Sequence, residues 1–423
     1  MLRKLALSAT LALSAAGLFP AVPQADTTSK YLQTLLEQRR YVDLEQNIRG
    51  HLAPDDAVLF QGIVANRKNR VDESIRLLAP LAPRLASAPP SWREKELLIT
   101  LADDYSKAFA YAKSADTYSV LLSRYSKMLS RNERRSATDR RAEMQLLREA
   151  PPQTVELNAA STIQAARDPL GLIEIPVEAN GKNESWMLDT GANTSVVTES
   201  TARRIGLRLL EGSAQTGDVN GTPVNFRVGV LPELKIGSTI FHDVELPVAS
   251  DQAFNIAGYQ IEGIVGFPVQ SALRRITVYA DGRVGINEAV REQGSELFMD
   301  GQTPIAVVKA AGEECLFSLD TGATGSSFSS RFYPVVKSQL TEKMRARNDS
   351  AGAGGVRHFH VYKMEGLSLT LGGQEARLAS ATIFPKPIGS GMDVFFGNLG
   401  QDVFGAFQSY TIDFENMTFI ARK

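Results

Sequence analysis

Two short runs of the sequence carry the same residues in the same order: Leu188-Asp189-Thr190-Gly191-Ala192 and Leu319-Asp320-Thr321-Gly322-Ala323. In each, an apolar stretch delivers one carboxylate to a turn that the following glycine allows to be tight, where backbone N–H groups can orient it. Aspartates at the ends of two equivalent strands can be brought face to face. Two carboxyls about 3 Å apart cannot both ionise, so such a pair retains one proton and its macroscopic pKa values separate. The ionised member can then take a proton from a water while the protonated member donates to a carbonyl oxygen. That chemistry requires no metal and no covalent intermediate, and no cofactor is expected.

The two runs belong to a longer internal repeat. Val177–Gly181 matches Val308–Gly312 at the same offset, 131 residues, that relates the two aspartates. Further on, Gly263-Ile264-Val265-Gly266 matches Gly397-Asn398-Leu399-Gly400, and Ala272–Val278 matches Ala406–Ile412, at an offset of 134. The change of three residues is a loop insertion. Each copy therefore has one order: strand, Asp-Thr-Gly turn, glycine-tipped hairpin, apolar Gly-x-x-Gly strand, closing hairpin. From Gly171 onward apolar and polar residues alternate in short runs broken by Asn-Gly, Asp-Gly, Gly-Gly and Gly-Ser, which predicts an all-β region. Its two lobes are expected at 171–295 and 299–423.

An apolar strand ending in Asp-Thr-Gly, followed by an apolar Gly-x-x-Gly strand, resembles the aspartic peptidase family. The two-lobed single chain is similar to pepsin, whereas Ala192 and Ala323 after the glycines resemble the retroviral-type branch. The resemblance implies a bilobal pair of pepsin/retropepsin-like barrels with pseudo-twofold symmetry, and an endopeptidase acting on a peptide or protein substrate. It implies Asp189 and Asp320 as catalytic residues. Thr190, Gly191, Thr321 and Gly322 would support the pair, the threonine hydroxyls bonding across to the opposite loop. It also implies a hairpin flap over the cleft, and Asn220-Gly221 is a two-residue hairpin signal at the right distance beyond Asp189. Gly352–Gly355 holds the corresponding place after Asp320, as a flap tip or as a surface turn. The first hairpin has no tyrosine, so a pepsin-type flap hydrogen bond is not expected. The alternative is a non-catalytic module that kept the fold to bind peptides or proteins; matched carboxylates favour the enzyme, because a binder has no use for them.

Upstream, apolar residues recur at spacings of three and four: Leu32, Leu35 and Leu36, then Leu52, Val58, Leu59 and Ile63, then Ile75, Leu77, Leu78 and Leu81. This predicts an all-α region over 27–150. Asp56–Leu81 and Glu94–Tyr125 each read as helix, polar turn, helix, and resemble tetratricopeptide-type hairpins. Such a region serves as a platform for a protein partner or simply as a bundle, and both readings stand. Arg131–Arg141 reads as a solvated helix face. Pro151 and Pro152 end the last helix, and 151–170 is expected to be a linker with one short strand at Val155–Leu157.

The chain has 423 residues, a formal charge of −1 and 43% apolar residues, which excludes a polyanion-binding class and leaves no nucleic-acid partner expected. Met-Leu-Arg-Lys followed by the apolar stretch Leu5–Phe19 and small residues to Ala25 reads as a secretory signal over 1–25. That stretch falls short of the roughly 20 residues a membrane span needs, so no stable membrane anchor is expected. Export is expected, to a periplasm or beyond. The single cysteine, Cys315, excludes an intrachain disulfide and reads as a packed strand residue. His358 and His360 share one face of a strand and read as an exposed pair rather than a metal site.

Overall fold

In this computed structural model the residues described are 24–217, 223–256, 258–352, 355–388 and 391–423. The stretch expected as a secretory signal lies outside them, except for the residues that open the first helix, Gln24–Glu37. The N-terminal part is helical. Pro54–Arg67 pairs with Val71–Leu78, and Trp92–Lys107 pairs with Tyr111–Tyr125, followed by Arg131–Leu146. Local chemistry sets the starts. Pro54 opens its helix with Asp55 and Asp56 at the positive end of the dipole, and Ser130 with Glu133 forms a capping box. A Cβ on Gly62 would lie 2.4 Å from Leu78 Cδ2, so the missing side chain lets the first pair close up. Among the described residues no helix is long and apolar enough to cross a membrane.

The helical part is not a free appendage. One apolar cluster runs from Leu32, Phe60 and Leu97 into Phe298, Ile305 and Phe395 of the β-rich part. At its edge Tyr41 donates to Asp300 Oδ1 at 2.6 Å and Arg39 to Asp300 Oδ2 at 3.3 Å. Arg39 and Arg67 hold the half-buried Asp300 carboxyl below its usual range against the opposing effect of burial. Lys68 pairs with Glu296 on the same strand, Ser295–Asp300. A second cluster joins Tyr111, Met144 and Leu147 to Ala214, Phe226 and Val228.

The β-rich part is built from two comparable units. In the first, the sheet order by range is Thr239–Ala249, Val196–Thr198, Gly263–Val265, Lys182–Leu188, Ile173–Ala179, Pro223–Ile236. The first and last of these, Thr239–Ala249 and Pro223–Ile236, also pair with each other, so the sheet closes on itself. Ile173, Ile175, Val177 and Ala179 alternate inward along one strand, the period-two pattern that buries one face. In the second unit the central order is Thr303–Ala310, Glu313–Leu319, Gly397–Leu399, Ser327–Phe328, Ala381–Ile383, Gly355–Met364. A shared sheet joins the two. Arg275–Tyr279 pairs antiparallel with Ser409–Asp413. At its centre Thr277 faces Thr411, its own counterpart in the repeat, with the hydroxyls 2.9 Å apart.

The stretch 151–170 differs from the linker expected. Thr154–Glu156 pairs with Thr239–Ala249, Ser161–Gln164 with Arg283–Ile286, and Ala166–Arg167 with Ile173–Ala179. The connection is thus hydrogen-bonded into the sheets of the β-rich part, since an extended chain running along a sheet edge satisfies its own backbone groups by pairing.

Candidate active site

Each aspartate stands where a strand ends beside a parallel neighbour. Lys182–Leu188 runs parallel to Gly263–Val265, and the Asp189 amide donates to Val265 O at 3.2 Å. Glu313–Leu319 runs parallel to Gly397–Leu399, and the Asp320 amide donates to Leu399 O at 2.9 Å. The aligned strands aim both chain ends at one place.

There the two turns interlock. The Thr190 hydroxyl donates to Leu319 O at 2.8 Å and accepts the Thr321 N–H at 3.0 Å. The Thr321 hydroxyl donates to Leu188 O at 2.6 Å and accepts the Thr190 N–H at 3.0 Å. All four bonds cross between the units, and both threonines are buried. The glycines take the remaining room. A Cβ on Gly322 would lie 2.3 Å from Asp189 Cγ, and one on Gly191 would lie 2.7 Å from Asp320 Cγ. Each carboxylate therefore rests against the opposite turn, in space that any side chain would fill.

Both aspartates are half-buried. Burial pushes the Asp189 carboxyl well up, and the charge of Asp320 pushes it further. Burial also raises Asp320, opposed by hydrogen bonds from Asn398, from Asp189 and from the Gly322 and Ala323 amides. The Gly191 N–H donates to Asp189 Oδ1 at 2.8 Å. From behind, Gln270 Nε2 donates to Asp189 O and Gln401 Nε2 to Thr321 O, both at 2.7 Å. Two acids in such contact can hold one proton between them.

The structure thus brings Asp189, Thr190, Gly191, Asp320, Thr321 and Gly322 together. Asn220 and Gly221 lie outside the described residues; the strands flanking them, Ala214–Gly217 and Pro223–Ile236, pair antiparallel. Gly352 and Gly355 close the hairpin ladder of Arg345–Gly352 with Gly355–Met364. On that second strand His358 and His360 are both exposed. Cys315 is buried, its thiol pushed up to about 12, which removes it as a thiolate nucleophile. Ser318, Asn398, Gln270 and Gln401 also reach the site. A signal for Asn398 exists in the repeat, where Asn398 stands at the position of Ile264.

Residues 175–269 match the family described as aspartyl protease. The matched segment carries Asp189-Thr190-Gly191 and Gly263–Gly266, one copy of the repeat, and it supports a peptidase acting on peptide or protein substrates. No curated protein matches the chain.

Proposed function

We propose that this chain is an exported aspartic endopeptidase that hydrolyses peptide bonds by means of a water held between Asp189 and Asp320, which share one proton. The observation that carries the reading is the reciprocal Thr190–Thr321 bonding, which packs each carboxylate against the opposite turn. The self-pairing of Thr277 with Thr411 supports a second claim, a bilobal arrangement of pepsin/retropepsin-like barrels about a pseudo-twofold axis. With one proton on the pair, the ionised aspartate takes a proton from the water as its oxygen attacks the scissile carbonyl carbon. The other aspartate gives its proton to the carbonyl oxygen. The tetrahedral intermediate then expels the amine, which receives a proton from the pair. An extended substrate adds as a strand in the cleft between the lobes, with the segment carrying Asn220 and Gly221 as its flap. The apolar N-terminal stretch supports export.

The test is cleavage of unstructured peptides between pH 3 and 7 by the wild type and by Asp189→Asn. The variant should lose activity by at least about three orders of magnitude, since the residue takes part directly in proton transfer. Equal activity in the variant refutes the carboxylate pair.

A further inference from the structure

The two halves of the repeat are not alike behind their aspartates. In the first, the parallel register sets Met187 beside Ile264, and both are buried in an apolar cluster with Leu172 and Ile261. In the second, the same register positions hold Ser318 and Asn398. The Asn398 Nδ2 donates to Asp320 Oδ2 at 2.7 Å, while its Oδ1 accepts the Ser318 hydroxyl at 2.7 Å. In this arrangement the Ser318 hydroxyl, which also lies 3.2 Å from Gly397 O, engages Oδ1 and the N–H₂ end faces the carboxylate.

An amide N–H₂ can only donate, and an ionised carboxylate accepts such a bond better than a protonated one. Asp320 thus has a side-chain donor that stabilises its charged form, and Asp189 has the methyl-bearing Met187/Ile264 pair in the equivalent place. Among the described residues, the main influences on the pair besides burial are the aspartates on each other, the Gly191, Gly322 and Ala323 amides and, on Asp320 alone, Asn398. Nothing else in this set distinguishes the two by charge.

We infer that Asn398, aligned by Ser318, is a positioning residue that keeps Asp320 the ionised member of the pair and leaves the shared proton on Asp189. In the reaction proposed above, on which this assignment rests, Asp320 is then the base that takes the water proton. Asp189 is the acid that protonates the carbonyl oxygen. After attack Asp189 is ionised and Asp320 protonated. On collapse the C–N bond breaks, the amine nitrogen takes the proton from Asp320, and the hydroxyl of the intermediate returns one to Asp189, so the starting state is restored.

Two measurements on the full-length protein test it. The first is a ¹³C titration of the two carboxyls, assigned with Asp189→Asn and Asp320→Asn, in the wild type, Asn398→Leu and Ser318→Ala. Asp320 should titrate first in the wild type, and its midpoint should rise by about one pH unit in Asn398→Leu, the size expected for a lost hydrogen bond to a charged group. Ser318→Ala should move it the same way by less. The second is the pH profile of kcat/KM on a peptide. The acidic limb should shift upward with the titration while the alkaline limb, set by the last proton on the pair, stays in place. A purely structural role for Asn398 would lower the profile without moving its acidic limb. If Asp189 titrates first, or the Asn398→Leu midpoint is unchanged, the assignment is overturned. If the wild type cleaves no peptide at any pH while the titrations behave as stated, the peptidase reading falls and the role of Asn398 in placing the proton stands.

Discussion

Replacing Thr190 with valine removes one hydroxyl and changes little else in shape, so its cost can be worked from the bonds that hydroxyl makes. It accepts the Thr321 N–H and donates to Leu319 O, and Thr190 is only 2% exposed. The change leaves a backbone donor and a backbone acceptor with no such partner in a buried place. Each costs about 1–3 kcal/mol, giving about 2–6 kcal/mol in all, a large share of the roughly 5–15 kcal/mol that holds a typical protein folded. Thr190→Ser keeps the hydroxyl and loses one methyl group, for about 1 kcal/mol. Urea unfolding followed by the fluorescence of Trp186, wholly buried on the strand that leads into Asp189, reports on this region. The activity of Thr190→Val should fall by about 100-fold, mainly in kcat, as expected when reacting groups move by about 1 Å. Thr321→Val should behave alike. The double variant should cost less than the two single changes together by at least about 0.5 kcal/mol, since all four bonds form one network. If Thr190→Val proves as stable and as active as Thr190→Ser, the interlocked turns do not hold the site.

Two other perturbations separate geometry from charge. Gly322→Ala puts a methyl group where Asp189 already lies 2.3 Å away, so activity should collapse, by about 100-fold or more, while unfolding shifts by only about 1–3 kcal/mol, the usual cost of overpacking. Wild-type activity in this variant would mean that Asp189 is not packed against the Gly322 turn. At the seam between helices and sheets, burial and the charge of Glu143 push buried Glu245 up to about 8 from its ordinary 4.5, with Arg140 and Tyr111 opposing. The folded state therefore binds more protons than the unfolded chain between these values, and stability falls as pH rises through that window. Glu245→Gln should remove this loss, so its advantage over wild type should grow from pH 5 to pH 8 by up to about 4 kcal/mol, read from urea unfolding at each pH. An advantage independent of pH would refute the buried-acid reading.

The parts of the fold that could be read in advance are those with a period. The three-and-four spacing of Leu32, Leu35 and Leu36, and of Ile75 and Leu78, anticipates helices at Gln24–Glu37 and Val71–Leu78, and the alternation in Ile173–Ala179 anticipates its strand. Pieces of two to four residues such as Ser161–Gln164 and Ala166–Arg167 have no room for a period, and their pairing is decided by a distant edge. The docking of the helices was hidden for another reason. Arg39, in a turn, and Tyr41 and Arg67, on helices, look like ordinary polar residues until Asp300 arrives from far along the chain. At the site the repeat made both aspartates and both threonines visible, because likeness between two copies is a signal. Asn398 is visible only as unlikeness, and a departure from a repeat names no role until the atom it faces is known.

That unlikeness has a consequence for how the molecule could have been assembled. Two identical chains meeting about a symmetry axis must present the same side chain on both sides, so a lone amide on one aspartate is forbidden to them. A homodimer would have to break its equivalence by thermal fluctuation or by the ligand, each time. A single chain carries its second copy at an effective concentration that dilution cannot lower, and each copy can vary alone. The tether thus does more than hold the halves together: it makes polarity across the cleft a heritable property of the sequence, with Ile264 on one side and Asn398 on the other.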